Sequence, residues 1–171
     1  KEKGTTTLRI GSEMWNYLPS VERTIKIPPS MMLQPWMGSD FANDDLVKES
    51  SVVDDYNHRL VAEKMIDGHV VCKIELVPKS RAGVIWEKRV QWIQKDDFTP
   101  VREAFVGKNN KVIKILTYSD KKMISGRVIP TRWEMVSQIK EGHRTVIEVT
   151  DKVVYNESIE DGVFSLKSLK E

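Results

Sequence analysis

The chain has 171 residues, 40% of them hydrophobic and 30% charged, and a formal net charge of +2. That balance describes a folded domain with a real core, not a disordered chain. Lys and Arg are interleaved with Asp and Glu instead of gathered in a stripe, which argues against a nucleic-acid partner; the single cysteine excludes an internal disulfide, and no apolar run is long enough to span a bilayer.

In chain order, short alternating runs separated by turn residues predict an antiparallel meander. "TTTLRI" and "EMWNYL" flank Gly11-Ser12, a hairpin turn, and "VERTIKI" follows Pro19-Ser20. Ser39 is a candidate cap for a short helix within "DFANDDLVKESS", with acidic residues near its start. "HRLVAEKMI" and "HVVCKIELV" flank Asp67-Gly68, the clearest hairpin signal. In the second run Val70, Cys72, Ile74 and Leu76 share one face, and Lys73 and Glu75 the other. "VIWEKRVQWI" turns at Lys95-Asp96-Asp97 into "TPVREAFV", which turns at Gly107–Asn110 into "KVIKILTY". "GRVIPTRWEMVSQI" turns at Glu141-Gly142 into "HRTVIEVTDKVVY", and Pro130 marks its strand as an edge or a bulge. The chain closes with "DGVFSLKSL". Trp86, Val90 and Trp92 alternate on one face of their strand. Several strands carry apolar groups on both sides, which requires two layers or a sheet curved around an apolar interior. One domain over residues 1–171 is expected, mainly β, with nine or ten strands.

Catalytic groupings are scarce. His58, His69 and His143 stand apart in strand-like segments, and the Asp pairs 44-45, 54-55 and 96-97 fall at turns or helix starts. Cys72 reads as a small core residue. No nucleophile elbow, glycine-rich phosphate loop or HExxH pattern is present. A non-catalytic protein without a cofactor or metal is the expectation.

The segment "IPPSMMLQPWMGSDF", residues 27–41, is loop-like because Pro28, Pro29 and Pro35 break strand and helix alike, yet it carries Met31, Met32, Leu33, Trp36, Met37 and Phe41. Methionine-rich surfaces adapt to varied apolar ligands. Such a loop serves either as a movable apolar flap or as a plug over one end of the sheet.

The stretch from Met14 to Val47, with Met14, Trp15, Tyr17 and Pro19 followed by Pro28, Pro29 and the methionines, resembles the LolA-like family of bacterial outer-membrane lipoprotein-sorting proteins, in its uncharacterised branch. "VQWIQKDDFTPVREAFVGKNNKVIKILTYSD", "GRVIPTRWEMVS" and the closing "DGVFSLKSL" resemble the same family's succession of strands. The resemblance implies a strongly curved antiparallel sheet, an unclosed half-barrel, with few short helices here and an apolar cavity for acyl chains. It implies a periplasmic carrier or sensor of lipoprotein acyl chains or lipid, working between an inner-membrane transporter and an outer-membrane receptor. The alternative is an RseB-like interaction module of an envelope transporter or stress-signalling complex. On this reading Trp15, Tyr17, Met31, Met32, Leu33, Trp36, Met37, Phe41, Trp86 and Trp92 form the cavity or its lid. Family members begin with a helix and strands before the Trp-x-Tyr-x-Pro strand, so this chain is expected to be the C-terminal portion of a longer one. An apolar face left uncovered in that way is expected to favour a dimer.

Overall fold

A computed structural model describes residues 3–11, 13–48, 52–80, 85–150 and 153–170. Ser12, which completes the first expected turn, and the ends of "DFANDDLVKESS", "PKSRAG" and "HRTVIEVTDKVVY" lie partly outside the described residues. The chain forms two compact units, residues 1–50 with 156–171, and residues 51–155.

In the first unit, β1 (Thr6–Ile10), β2 (Glu13–Leu18) and β3 (Arg23–Lys26) form a three-stranded antiparallel sheet in the order β1-β2-β3. Gly11 turns the first hairpin at φ +59°, a backbone angle that costs glycine nothing. One face of the small sheet carries Met14 of β2 and Ile27, the residue after β3, both buried, and Met32 and Leu46 pack against them. The other face carries Leu8, Trp15, Tyr17 and Thr24, since Leu8 pairs with Trp15 and Tyr17 with Thr24. The C-terminal segment reaches β1 there: Thr6 Oγ1 donates to the Leu169 carbonyl at 2.5 Å, and Leu169 is buried. The helix α1 (Asn43–Lys48) starts four residues after Ser39. Ser39 instead binds its own turn, its hydroxyl donating to the Trp36 carbonyl at 2.6 Å, while Asp45 Oδ2 accepts from the Ala42 amide at 2.7 Å.

The expected closing strand is absent. "DGVFSLKSL" forms two 3-10 turns, Asp161–Phe164 and Ser168–Lys170. The serines explain this locally: Ser168 Oγ donates to the carbonyls of Val163 and Ser165, which competes with ladder pairing.

The second unit contains α2 (Val52–Asp55) and seven antiparallel strands: β4 (Tyr56–Ile66), β5 (His69–Pro78), β6 (Lys88–Gln94), β7 (Pro100–Gly107), β8 (Lys111–Ile124), β9 (Arg127–Ser137) and β10 (Arg144–Glu148). They follow chain order from β4 to β10, with β4 and β10 as unpaired edges, so the sheet is not closed into a barrel. Asp67 and Gly68 both take positive φ, 50° and 80°, as a two-residue hairpin turn that matches strand twist requires. Ser125-Gly126 repeats that geometry between β8 and β9, and β8 extends through the polar stretch Ser119–Lys122. Pro130 pairs with Lys121 and lies beyond the stretch of β9 that β10 covers, Arg132–Val136, so its missing amide breaks no ladder on that side.

Both faces of this sheet carry buried residues. Arg89, Phe105 and Lys114 are successive cross-strand partners on one face, with Leu76, Glu103, Leu116 and Met135. Leu76 and Met135 are fully buried and Glu103 is 2% exposed. Val90, Ala104 and Val106 cluster on the other face, with Trp92 and Ile115 against them. The turn between β6 and β7 is held by Asp97, whose Oδ2 accepts from Lys121 Nζ at 2.9 Å and Oδ1 from the Thr99 amide at 2.9 Å. Burial pushes this carboxyl up, but the bonds from Lys121 and Thr99 outweigh it and bring it to about 2. A carboxyl lowered from 3.8 stabilises the fold above that pH and loses its contribution as the pH falls toward 2. Thermal melts of Asp97→Asn are therefore expected to show a shallower decline between pH 4 and pH 2 than the parent chain; parallel profiles would contradict the assignment.

Candidate functional site

The ten sequence-selected residues divide among separate surfaces. Trp15 and Tyr17 lie on the face of the small sheet opposite Met14 and Ile27, since alternation places successive side chains on opposite sides. The methionine segment lies on the Met14 side. Met32 packs into the Met14–Ile27 cluster and Phe41 is buried. Trp36 Nε1 donates to Thr7 Oγ1 at 3.1 Å, and Thr7 shares that face of β1. Met37 is half-buried and takes φ +47° ahead of Gly38. Met31 and Leu33 point outward, 44% and 53% exposed.

Backbone bonds tie this segment down. The Trp36 amide donates to the Phe41 carbonyl at 2.7 Å and the Asp44 amide to the Met32 carbonyl at 2.8 Å. Asn43, itself buried, donates from Nδ2 to the Met31 carbonyl at 3.1 Å. The segment is thus partly a plug, through Met32 and Phe41, and partly an apolar surface, through Met31 and Leu33.

Trp86 and Trp92 belong to the second unit and do not share a face. The strand begins only at Lys88, so alternation does not extend back to Trp86. Trp86 packs edge-on against Phe105, with ring centroids 5.3 Å apart and Lys114 Nζ 5.1 Å from its ring. Phe105 stands on the Arg89 face, whereas Trp92 stands on the Val90 face.

A cleft of about 390 Å³ opens beside Trp92, lined also by Val61, Ala62, Lys64, Ile66, Val71 and Lys73. Its origin is a break in register between Leu60 and Ala62 on the edge strand β4. The bulge leaves Val61 unpaired, and Ala62, Lys64 and Ile66 then face the same side as Lys73 and Val71. Val71 is buried as a floor, while Val61 and Ile66 are exposed at the rim. Lys73 Nζ and the Arg102 guanidinium each stand 5.4 Å from the Trp92 ring centroid. The cleft is therefore apolar within and cationic at its border, and it falls in the lower part of the ~300–1,000 Å³ range of small-molecule sites.

Sequence reasoning selected Trp92 but missed the other lining residues. Their signal was the run Leu60-Val61-Ala62, three apolar residues that interrupt alternation in "HRLVAEKMI". Cys72, expected in the core, is half-buried, and its Sγ lies 3.7 Å from Glu63 Oε1. It pairs with an edge-strand residue whose carboxylate faces water, which keeps the thiol near the surface. His69, expected to stand alone, meets Asp96 Oδ2 at 2.9 Å, and this hydrogen bond holds the Asp96 carboxyl below its usual range. Among the described residues no three His, Cys, Asp or Glu side chains converge as a metal site, and no helix is long and apolar enough to cross a membrane.

A family described as an uncharacterized protein matches residues 1–171 in full. Three solved structures are similar over nearly the whole chain. A DUF1329 family protein from Desulfovibrio piger is 27% identical with a TM-score of 0.86, over 97% of this chain and 71% of that one. A domain from Vibrio parahaemolyticus, named for outer-membrane lipoprotein sorting, is 24% identical with a TM-score of 0.82, over 98% and 72%. A LolA superfamily protein from Nitrosomonas europaea is 24% identical with a TM-score of 0.74, over 96% and 71%. No curated protein matches the chain. The open seven-stranded sheet and the whole-length match agree with the resemblance read in the sequence: the chain belongs to this uncharacterised family, and its fold is like that of the two lipoprotein-sorting-type structures.

Proposed function

We propose that this chain is a periplasmic, non-catalytic carrier or sensor that binds the acyl chains of a lipoprotein or lipid. The observation that carries the reading is the apolar cleft beside Trp92 with its lysine border. Val61, Ala62, Ile66, Val71 and the Trp92 ring take the hydrocarbon, and Lys64 and Lys73 face the polar end of the ligand. Each methylene taken out of water contributes about 0.8 kcal/mol, so a few carbons in contact suffice for a reversible hold. The edge position of the cleft suits hand-over, because the acyl group enters and leaves without a strand pair breaking. Met31 and Leu33 form an exposed apolar surface of the first unit, suited to a partner protein. The partners are an inner-membrane transporter that loads the chain and an outer-membrane receptor that unloads it.

The test is native mass spectrometry of gently purified protein. The expected spectrum contains an adduct of lipid mass that is lost in Ile66→Asp, a substitution at a 40%-exposed rim position. An adduct-free spectrum together with no uptake of a fluorescent fatty acid would refute the reading.

The second reading is an interaction module of an envelope complex, favoured by the outward-facing Met31 and Leu33. It predicts that Leu33→Asp weakens partner capture while lipid content stays unchanged.

A further inference from the structure

The outer edge of β10 is complementary to itself. Among the described residues no strand pairs with that edge, and β9 is the neighbour of β10 on the inner side. An antiparallel ladder uses the amide and carbonyl of every second residue. The bonds at the two ends of β10 fix which ones: the Ser137 amide donates to the His143 carbonyl at 3.1 Å, and the Val149 amide to the Thr131 carbonyl at 2.8 Å. Thr145 and Ile147, in step with His143 and Val149, therefore bond to β9. Arg144, Val146 and Glu148 direct their amides and carbonyls outward. Alternation also places those three side chains on one face of the sheet, beside Val136, Glu134 and Arg132 of β9.

The charges stand symmetrically about Val146, with Arg144 before it and Glu148 at the same distance after it. A two-fold axis through Val146, perpendicular to the sheet, lays β10 antiparallel to β10 of a second copy. Val146 then bonds to Val146, and Arg144 of each copy stands opposite Glu148 of the other. Thr145 meets Ile147 on the opposite face. The other two-fold registers centred within β10 lose this match. Centring on Arg144 or Glu148 opposes like charges, and centring on Thr145 or Ile147 sets a charge against Val146. Both charged side chains reach out from the sheet, 66% and 68% exposed. Arg144 also meets Glu134 at 3.5 Å, and Glu148 meets Arg132, so pairs between copies extend an existing network. The opposite edge, β4, has no such match: its bulge at Val61 leaves Arg59 and Glu63 on different faces.

We infer that the outer edge of β10 is a homodimer interface, to which a second copy of this chain adds its own β10 antiparallel about Val146. The contact uses the same patch on both copies, so it closes as a dimer and does not propagate. Backbone bonds to an otherwise open edge supply the affinity, and the Arg144–Glu148 pairs set the register, since opposed unlike charges stabilise a strand pair and like charges destabilise it. A strand of this length makes a small interface, so the dimer builds up with concentration. The cleft beside Trp92 lies at the β4 end of the strand order, and the inference does not depend on acyl binding.

Sedimentation velocity over a concentration series is expected to show a monomer–dimer equilibrium. Amide exchange in the parent chain should slow at Arg144, Val146 and Glu148 as the dimer fills, while Thr145 and Ile147, already bonded to β9, change far less. Arg144→Glu and Glu148→Arg, each at an exposed position, are each expected to weaken self-association by roughly tenfold, because each sets like charges opposite one another twice. Mixed in equal amounts, the two variants are expected to associate as the parent does, since one chain then presents only carboxylates and the other only guanidinium groups. A parent that stays monomeric throughout, exchange at Val146 that ignores concentration, or a mixture no more associated than its components would overturn the inference. If a variant fails to fold, the exchange pattern of the parent chain decides alone.

Discussion

Glu103→Ala is expected to destabilise the chain by about 3–5 kcal/mol, read as a lower midpoint in urea denaturation, because it strands a charge inside the large sheet. Arg89 and Glu103 are paired on the face that also buries Leu76 and Phe105, with side chains 11% and 3% exposed. Burial opposes the Arg89 charge, but the field and hydrogen bond of Glu103 outweigh it and raise its pKa. The guanidinium also lies 5.0 Å from the Phe105 ring centroid and 5.8 Å from that of Tyr56, so aromatic faces surround it where water would otherwise stand. Removal of the carboxylate takes away the charged partner that offsets this burial. Replacement of both members by apolar residues, Arg89→Met with Glu103→Leu, is expected to recover most of the loss, since a buried pair gains little over good packing. A single-variant loss below about 1 kcal/mol would mean that the guanidinium reaches solvent, contrary to the account.

Met14→Ala is expected to cost about 2–5 kcal/mol, the range for a buried long side chain cut to a methyl. Met14 is 1% exposed and forms, with Ile27, Met32 and Leu46, the packing that joins the methionine segment to the small sheet. The variant should also speed amide exchange at Asp44 and Trp36, whose backbone bonds close that segment. Met31→Ala and Leu33→Ala provide the contrast: both side chains are largely outside the core, so each is expected to change stability by no more than about 0.5 kcal/mol. Equal costs at positions 14 and 33 would overturn the division of the segment into plug and surface.

How far the sequence could be read follows from where its signals were local. Asp67-Gly68 announced its hairpin because both turn positions need positive φ, and the strand order β4 to β10 then followed from tight turns between alternating runs. Pro130 was legible for the same reason: one missing amide restricts where the residue can sit. Face assignments failed where alternation was extended past the true strand end. Trp86 precedes Lys88, and its ring found Phe105 on the side opposite Trp92. The closing strand failed because Ser168 binds nearby carbonyls, a local competition that apolar spacing does not record. The cleft beside Trp92 was hidden for a third reason. Its lining depends on one bulged residue, Val61, that shifts the facing of every residue after it, and only the interrupted alternation at Leu60–Ala62 hinted at that. The methionine segment was identified correctly as proline-bounded and apolar, but composition could not separate Met32, which packs inward, from Met31 and Leu33, which do not.

The most direct test is a competition titration with a series of saturated fatty acids against a fluorescent one. If the hydrocarbon lies along Val61, Ile66, Val71 and Trp92, affinity should strengthen by on the order of tenfold for each two methylenes added, until the cleft is filled. Affinity that is independent of chain length, or no displacement at any length, would contradict acyl binding.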